Sequence, residues 1–224
     1  MSFHRTLHQR LMHNFPIRQE ERDVRYLATY KLYSRFFRER IAVKNLQPND
    51  AKVGVVLVYT WMQPAELKPD CFKHFPVAKT MLQRDKAGRL NAAEIDALKT
   101  FVGGSLIATS KFLHFYNPSR YAIWDTNVAR AAYRYTWPQC NRSARYLEYL
   151  DDIKGLTLDS GLRQRVRDAI GPAGALRVKE FALFQLGISE SEPASHALDP
   201  MIADIPFAGG AFTLDLGTEE NGRY

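Results

Sequence analysis

Two side chains near the middle of this 224-residue chain have the types and spacing to act together: Lys111 and, fourteen positions later, Asp125. A lysine becomes an amine nucleophile when its surroundings disfavour the ammonium form. Lys111 is expected in the first turn of a helix, beside the positive end of the helix dipole, which would do that. Asp125 is placed to open the following helix as its N-cap. Each residue also has a plainer reading. A lysine near a helix start is ordinarily solvated, and an aspartate before a helix is ordinarily only a cap. Their order after a candidate hairpin is what joins them.

The elements that must position this pair read as helical. Asn91 followed by Glu94 forms a capping-box pattern, with Leu90 and Ile95 available as a hydrophobic staple. Ile95, Leu98 and Val102 share one apolar face, and Gly103 supplies a left-handed stop. Gly103-Gly104 then lead by a short link into a second helix carrying Lys111, which Asn117-Pro118 ends. Tyr121-Ala122-Ile123-Trp124 reads as an extended apolar approach to Asp125. The helix that Asp125 opens carries Val128, Ala131, Ala132 and Tyr135, and Trp137-Pro138 is expected to break it. A tight hairpin of this kind exposes backbone N–H groups that hold a DNA phosphate without reading sequence.

The rest of the chain predicts further helices. From Arg18 to Lys44, Tyr26, Tyr30, Tyr33, Phe37 and Ile41 recur at spacings of three and four, forming one apolar stripe. The basic residues opposite it suit either a phosphate-facing surface or an ordinary solvated face. Val53 to Met62 fits a strand or a buried helix; helix is preferred because no partner strand is evident nearby. Gln63 to Pro76, with three prolines, reads as an irregular connection. Helices follow over about 143–153, 160–170 and 173–186, with Gly155 and Gly171 as stops. The expected organisation is a single domain over 1–187 and a loosely ordered tail over 188–224.

The net charge of +7 points to a polyanionic partner, since lysine and arginine neutralise phosphates and release counterions. The 46% hydrophobic and 25% charged composition is that of an ordinary globular protein. The longest apolar run is far short of the roughly 20 residues needed to cross a bilayer, and the start lacks a signal-peptide core. No membrane partner and a cytoplasmic location are therefore expected, nucleoid-associated if the source is bacterial. Cys71 and Cys140 lack iron–sulfur or zinc spacing, so no metal site is expected.

The segments Lys111-Phe112-Leu113-His114-Phe115-Tyr116 and Tyr121-Ala122-Ile123-Trp124-Asp125-Thr126-Asn127-Val128 resemble the catalytic core of helix-hairpin-helix DNA glycosylases. The match is narrower to the 8-oxoguanine DNA glycosylase branch and its divergent bacterial members. Tyr133-Arg134-Tyr135-Thr136-Trp137-Pro138 resembles that family's sequence after the aspartate helix. Ile170 to Ala175 with Phe181-Ala182-Leu183-Phe184 resembles its final helix. The resemblance spans roughly 91–187. The family's glycines stand just before its lysine, whereas Ser105 to Ser110 intervene here, and the lysine-to-aspartate interval is shorter.

The resemblance implies an all-α fold of two small helical lobes with a cleft between them, acting as a monomer on duplex DNA without cofactor or metal. A damaged or modified base, such as 8-oxoguanine, would be flipped out of the stack. The Lys111 amine would attack the sugar C1′ and form a Schiff base, with optional strand nicking by β-elimination. Asp125 would stabilise the cationic sugar; acting alone, it could direct a water instead. Gly103, Gly104, Thr109, Ser110, His114 and Asn127 are candidates for DNA contact. Phe181 and Phe184 are candidates for stacking on the base, with core packing as the alternative. A structural, half-buried role is the alternative for His114. The competing function is a non-catalytic helix-hairpin-helix DNA-binding module, which would have no reason to retain both Lys111 and Asp125.

Overall fold

The computed structural model describes Leu7, Arg10, Leu11 and residues 21–43, 45–61, 66–135 and 137–190. Among the described residues there are ten α-helices and no strand. They are α1 (Glu21–Phe36), α2 (Pro48–Thr60), α3 (Phe75–Asp85), α4 (Ala92–Phe101) and α5 (Leu106–Tyr116), then α6 (Thr126–Tyr133), α7 (Trp137–Cys140), α8 (Ser143–Gly155), α9 (Ser160–Ile170) and α10 (Ala175–Ser189). A π-helical turn, Phe37–Ile41, continues α1, and a 3-10 helix, Pro69–His74, precedes α3. No helix among the described residues is long and apolar enough to cross a membrane. The expected tail lies, from residue 191 onward, outside the described residues.

Local chemistry explains most of the boundaries. Both arms of the capping box form at α4: Glu94 N–H donates to Asn91 Oδ1 at 3.0 Å, and Asn91 N–H donates to Glu94 Oε2 at 2.8 Å. Ser105, Asp125 and Asp159 cap α5, α6 and α9 through side-chain oxygens. Gly103 and Gly104 have φ of 72° and 81°, a conformation that L residues adopt at a cost. Of the Val53–Met62 stretch, Val53 to Thr60 is helical, within α2, and Met62 lies outside the described residues.

Several expectations need correcting. Helix α3 falls partly in the proposed irregular stretch and beyond it, because Pro69 and Pro76 stand at helix starts, where a missing N–H costs nothing. Helix α6 ends at Arg134, in a left-handed conformation at φ 59°, so Trp137-Pro138 does not break it but starts α7. Helix α10 runs through Gly187 to Ser189. Along α1, Tyr33, Phe37 and Ile41 do form a buried stripe; the Tyr26 side chain lies outside the described residues.

The core is rich in aromatic side chains. Phe37 packs edge-on to Phe112 at 5.1 Å between ring centroids, and Phe101 packs edge-on to Phe112 at 6.4 Å. Glu190, at the end of α10, receives a bidentate pair from Arg10 and a second from Arg134, with Leu7 and Leu11 fully buried nearby in sequence.

Candidate functional site

The extended segment Tyr121 to Trp124 is buried along its whole length but has no strand to pair with. Buried backbone groups must nonetheless be hydrogen-bonded. Side chains from α5 and α8 serve instead. The carbonyl of Tyr121 accepts from His114 Nδ1 at 2.8 Å, that of Ala122 from Tyr146 Oη at 2.9 Å, and that of Ile123 from Tyr149 Oη at 3.0 Å. The Trp124 N–H donates to Ser110 Oγ at 3.0 Å. This rail delivers Asp125 to the start of α6, where its Oδ1 accepts from Val128 N–H at 2.9 Å.

The rail also decides the role of His114. A carbonyl partner requires a proton on Nδ1, so Nε2 accepts from the Tyr30 hydroxyl at 2.8 Å. Burial, reinforced by the Arg177 guanidinium, pushes its pKa down to about 3 and keeps the ring neutral. His114, Thr109 and Ser110 are fully buried and bonded within the chain. They are structural, which corrects their reading as DNA contacts.

Lys111 is the sixth residue of α5, in its second turn, beyond reach of the helix-start amides. The expected dipole effect is therefore replaced by another cause. Desolvation by burial lowers the Lys111 pKa, and the nearby Arg177 lowers it further. Asp125 and then Glu180 oppose the shift by attracting the proton. The Nζ lies 5.3 Å from the Trp61 ring centroid and makes no hydrogen bond among the described residues. The two residues singled out by sequence are thus brought within electrostatic reach of each other.

Two further charged residues complete the set. Arg177 and Glu180, one turn apart on α10, are both fully buried and form an ion pair. The Arg177 guanidinium lies over the Tyr30 ring at 4.8 Å and over Phe181 at 5.5 Å. Glu180 Oε1 has no hydrogen-bond partner. Burial lifts the Glu180 pKa to about 7, against the pull of Arg177; Asp125 adds to the rise. Sequence reading missed this pair. Its signal was a cation and an anion three residues apart on one side of a largely apolar helix, with Lys179 falling on the other side.

The position of α10 is set by its contact with α6. A Cβ on Gly187 would stand 2.1 Å from the Asn127 carbonyl oxygen, so only glycine permits this approach. Asn127 is committed to that crossing through its backbone, and its Oδ1 accepts from Arg130 at 3.1 Å. Phe181 is buried and Phe184 packs against the core, with ring centroids 6.3 Å apart; the core alternative describes both.

The hairpin differs from expectation as well. Gly104 N–H donates to Lys99 O at 2.9 Å, Leu106 N–H to Asn141 Oδ1 at 2.8 Å, and Ala108 N–H to Ser105 Oγ at 3.2 Å. A Schellman-type closure and a serine cap use these donors inside the chain, so they are not offered to a phosphate. Gly104 itself is exposed at the turn and Gly103 partly so. Both cysteines are buried free thiols. Comparison of the chain with protein-family models, with curated proteins and with solved structures found no match.

Proposed function

We propose that this protein is a DNA glycosylase of the helix-hairpin-helix type, with two helical lobes flanking the lesion, that removes a damaged or modified base from DNA. The observation that supports this reading is the state of Lys111. Its side chain is half-buried, its amine is unbonded among the described residues, and burial lowers its pKa against the pull of Asp125 at the start of the next helix. A solvated surface lysine has neither the burial nor the lowered pKa. A lysine held in a structural ion pair lacks the unbonded amine.

In the proposed reaction the Lys111 Nζ lone pair forms a bond to C1′ of the flipped nucleotide. The C1′–N bond breaks, and its electron pair leaves with the base, which takes up a proton. Positive charge develops on the sugar as the bond lengthens, and the Asp125 carboxylate stabilises it. Loss of a proton from the new secondary ammonium permits ring opening to a Schiff base, from which β-elimination can cut the strand. Glu180 and Arg177 act on Lys111 rather than on DNA: one raises the affinity of the amine for its proton, the other lowers it.

The test is borohydride trapping on duplexes carrying an abasic site or one of a panel of modified bases. Wild-type protein should cross-link and Lys111→Gln should not. Asp125→Asn should bind DNA yet release base more slowly by roughly two to three orders of magnitude, the effect of removing preorganised electrostatic stabilisation. DNA binding with neither trapping nor base release would identify the protein as a non-catalytic binding module.

A further inference from the structure

On the side of α10 away from Arg177 and Glu180 lies a pocket of about 270 Å³. Lys154 at the end of α8, Arg163 and Arg167 on α9, and Lys179 on α10 surround it, over an apolar floor that includes Leu156 and Val178. No acidic residue lines it. Several surface cations elsewhere in this chain find carboxylates, as in Arg35–Glu39, Arg89–Asp151, Lys99–Asp96 and Arg145–Glu148. The four around this pocket make no ion pair among the described residues. Two are held instead by neutral backbone oxygens: Lys179 Nζ donates to Lys154 O at 2.8 Å, and an Arg163 Nη to Leu158 O at 3.0 Å. Lys179 and Arg163 are therefore held in place without a carboxylate partner.

We propose that this pocket binds a phosphoryl anion, supplied by a free phosphate compound or by a nucleic-acid backbone, through Lys154, Arg163, Arg167 and Lys179. Gathering four like charges around one concavity costs energy that a bound anion returns. At Lys179, burial first and the Arg163 charge second lower the pKa. The first residue of α10, Ala175, also lines the pocket, and no side chain caps that helix. Its opening amides thus add donors and positive potential to the same space. The volume lies just below the roughly 300–1,000 Å³ typical of sites that enclose a drug-sized molecule. It suits a phosphoryl group better than a whole nucleotide.

The probes are sodium tripolyphosphate, followed by titration calorimetry, and an undamaged duplex of about 20 base pairs, followed by fluorescence anisotropy. Wild-type protein is compared with Arg167→Ala, Lys179→Gln and Arg38→Ala, the last removing an exposed charge outside the pocket. The pocket variants should weaken binding about tenfold, the scale of one charge-assisted hydrogen bond, while Arg38→Ala should not. Weakening for tripolyphosphate alone supports the pocket and assigns it to a free phosphate compound. Weakening for the duplex, with or without tripolyphosphate, supports it and assigns it to the nucleic-acid backbone. No loss in either arm, or an equal loss in Arg38→Ala, overturns the proposal.

Discussion

Helix α10 presents charge on two sides and handles it in opposite ways. Inward, Arg177 and Glu180 are buried and paired with each other, and they act electrostatically on Lys111 while Asp125 acts on Glu180. Outward, Lys179 faces three other cations with no carboxylate among the pocket-lining residues. The difference follows from solvent. A buried ion must find its counter-charge within the chain, because desolvation costs several kcal/mol per ion. A wet cation can wait for a partner. The inner side is thus built to tune an amine, and the outer side to accept something the chain does not supply.

Substitutions on the two sides should separate accordingly. The largest effect is expected for Arg177→Met, which strands Glu180 in the interior; chemical denaturation should show a loss of about 3–5 kcal/mol. A loss below 1 kcal/mol would mean that the inner charges are better hydrated than their burial indicates. Gly187→Ala follows, because its methyl group would meet the Asn127 backbone. A destabilisation of about 1–3 kcal/mol is expected, together with weaker trapping as α10 is pushed away from α6.

Glu180→Gln should act chiefly through pH. Its raised pKa means that burial favours the protonated acid, contributing stability that is present below about 4.5 and lost as pH rises through about 7. Wild-type protein should therefore lose stability across that interval relative to the variant, in melts recorded at each pH. Above about 7, ionised Glu180 holds the proton on Lys111 in the wild type but not in the variant. Base release by Glu180→Gln should accordingly rise at lower pH than in the wild type. Superimposable profiles would detach Glu180 from the amine. The smallest effect belongs to the outer side: Arg167→Ala should change stability by no more than about 0.5 kcal/mol, because the charge it removes is solvated.

Much of the helical frame was legible because its signals are local. The Asn91–Glu94 box and the aspartate and serine caps act within one turn, and the stripe from Tyr33 to Ile41 repeats with the helix. That Lys111 and Asp125 stand on successive helical segments could be read from their order. The cause of the lowered Lys111 pKa could not, since it comes from burial and from Arg177, on a distant helix, rather than from position along α5. Thr109, Ser110 and His114 misled for the same reason. Polar side chains on a helix look solvent-facing until the structure shows that Ser110 and His114 bond the Tyr121–Trp124 backbone and Thr109 bonds the Ser105 carbonyl.

That buried segment has a kinetic corollary. Its hydrogen-bond partners sit on α5 before it and on α8 after it, so neither helix alone can hold it in shape. The Trp124 amide should exchange with deuterated solvent only when the whole domain opens. A half-folded form would lack the carboxylate's setting altogether, which leaves reactivity an all-or-nothing property of the assembled protein.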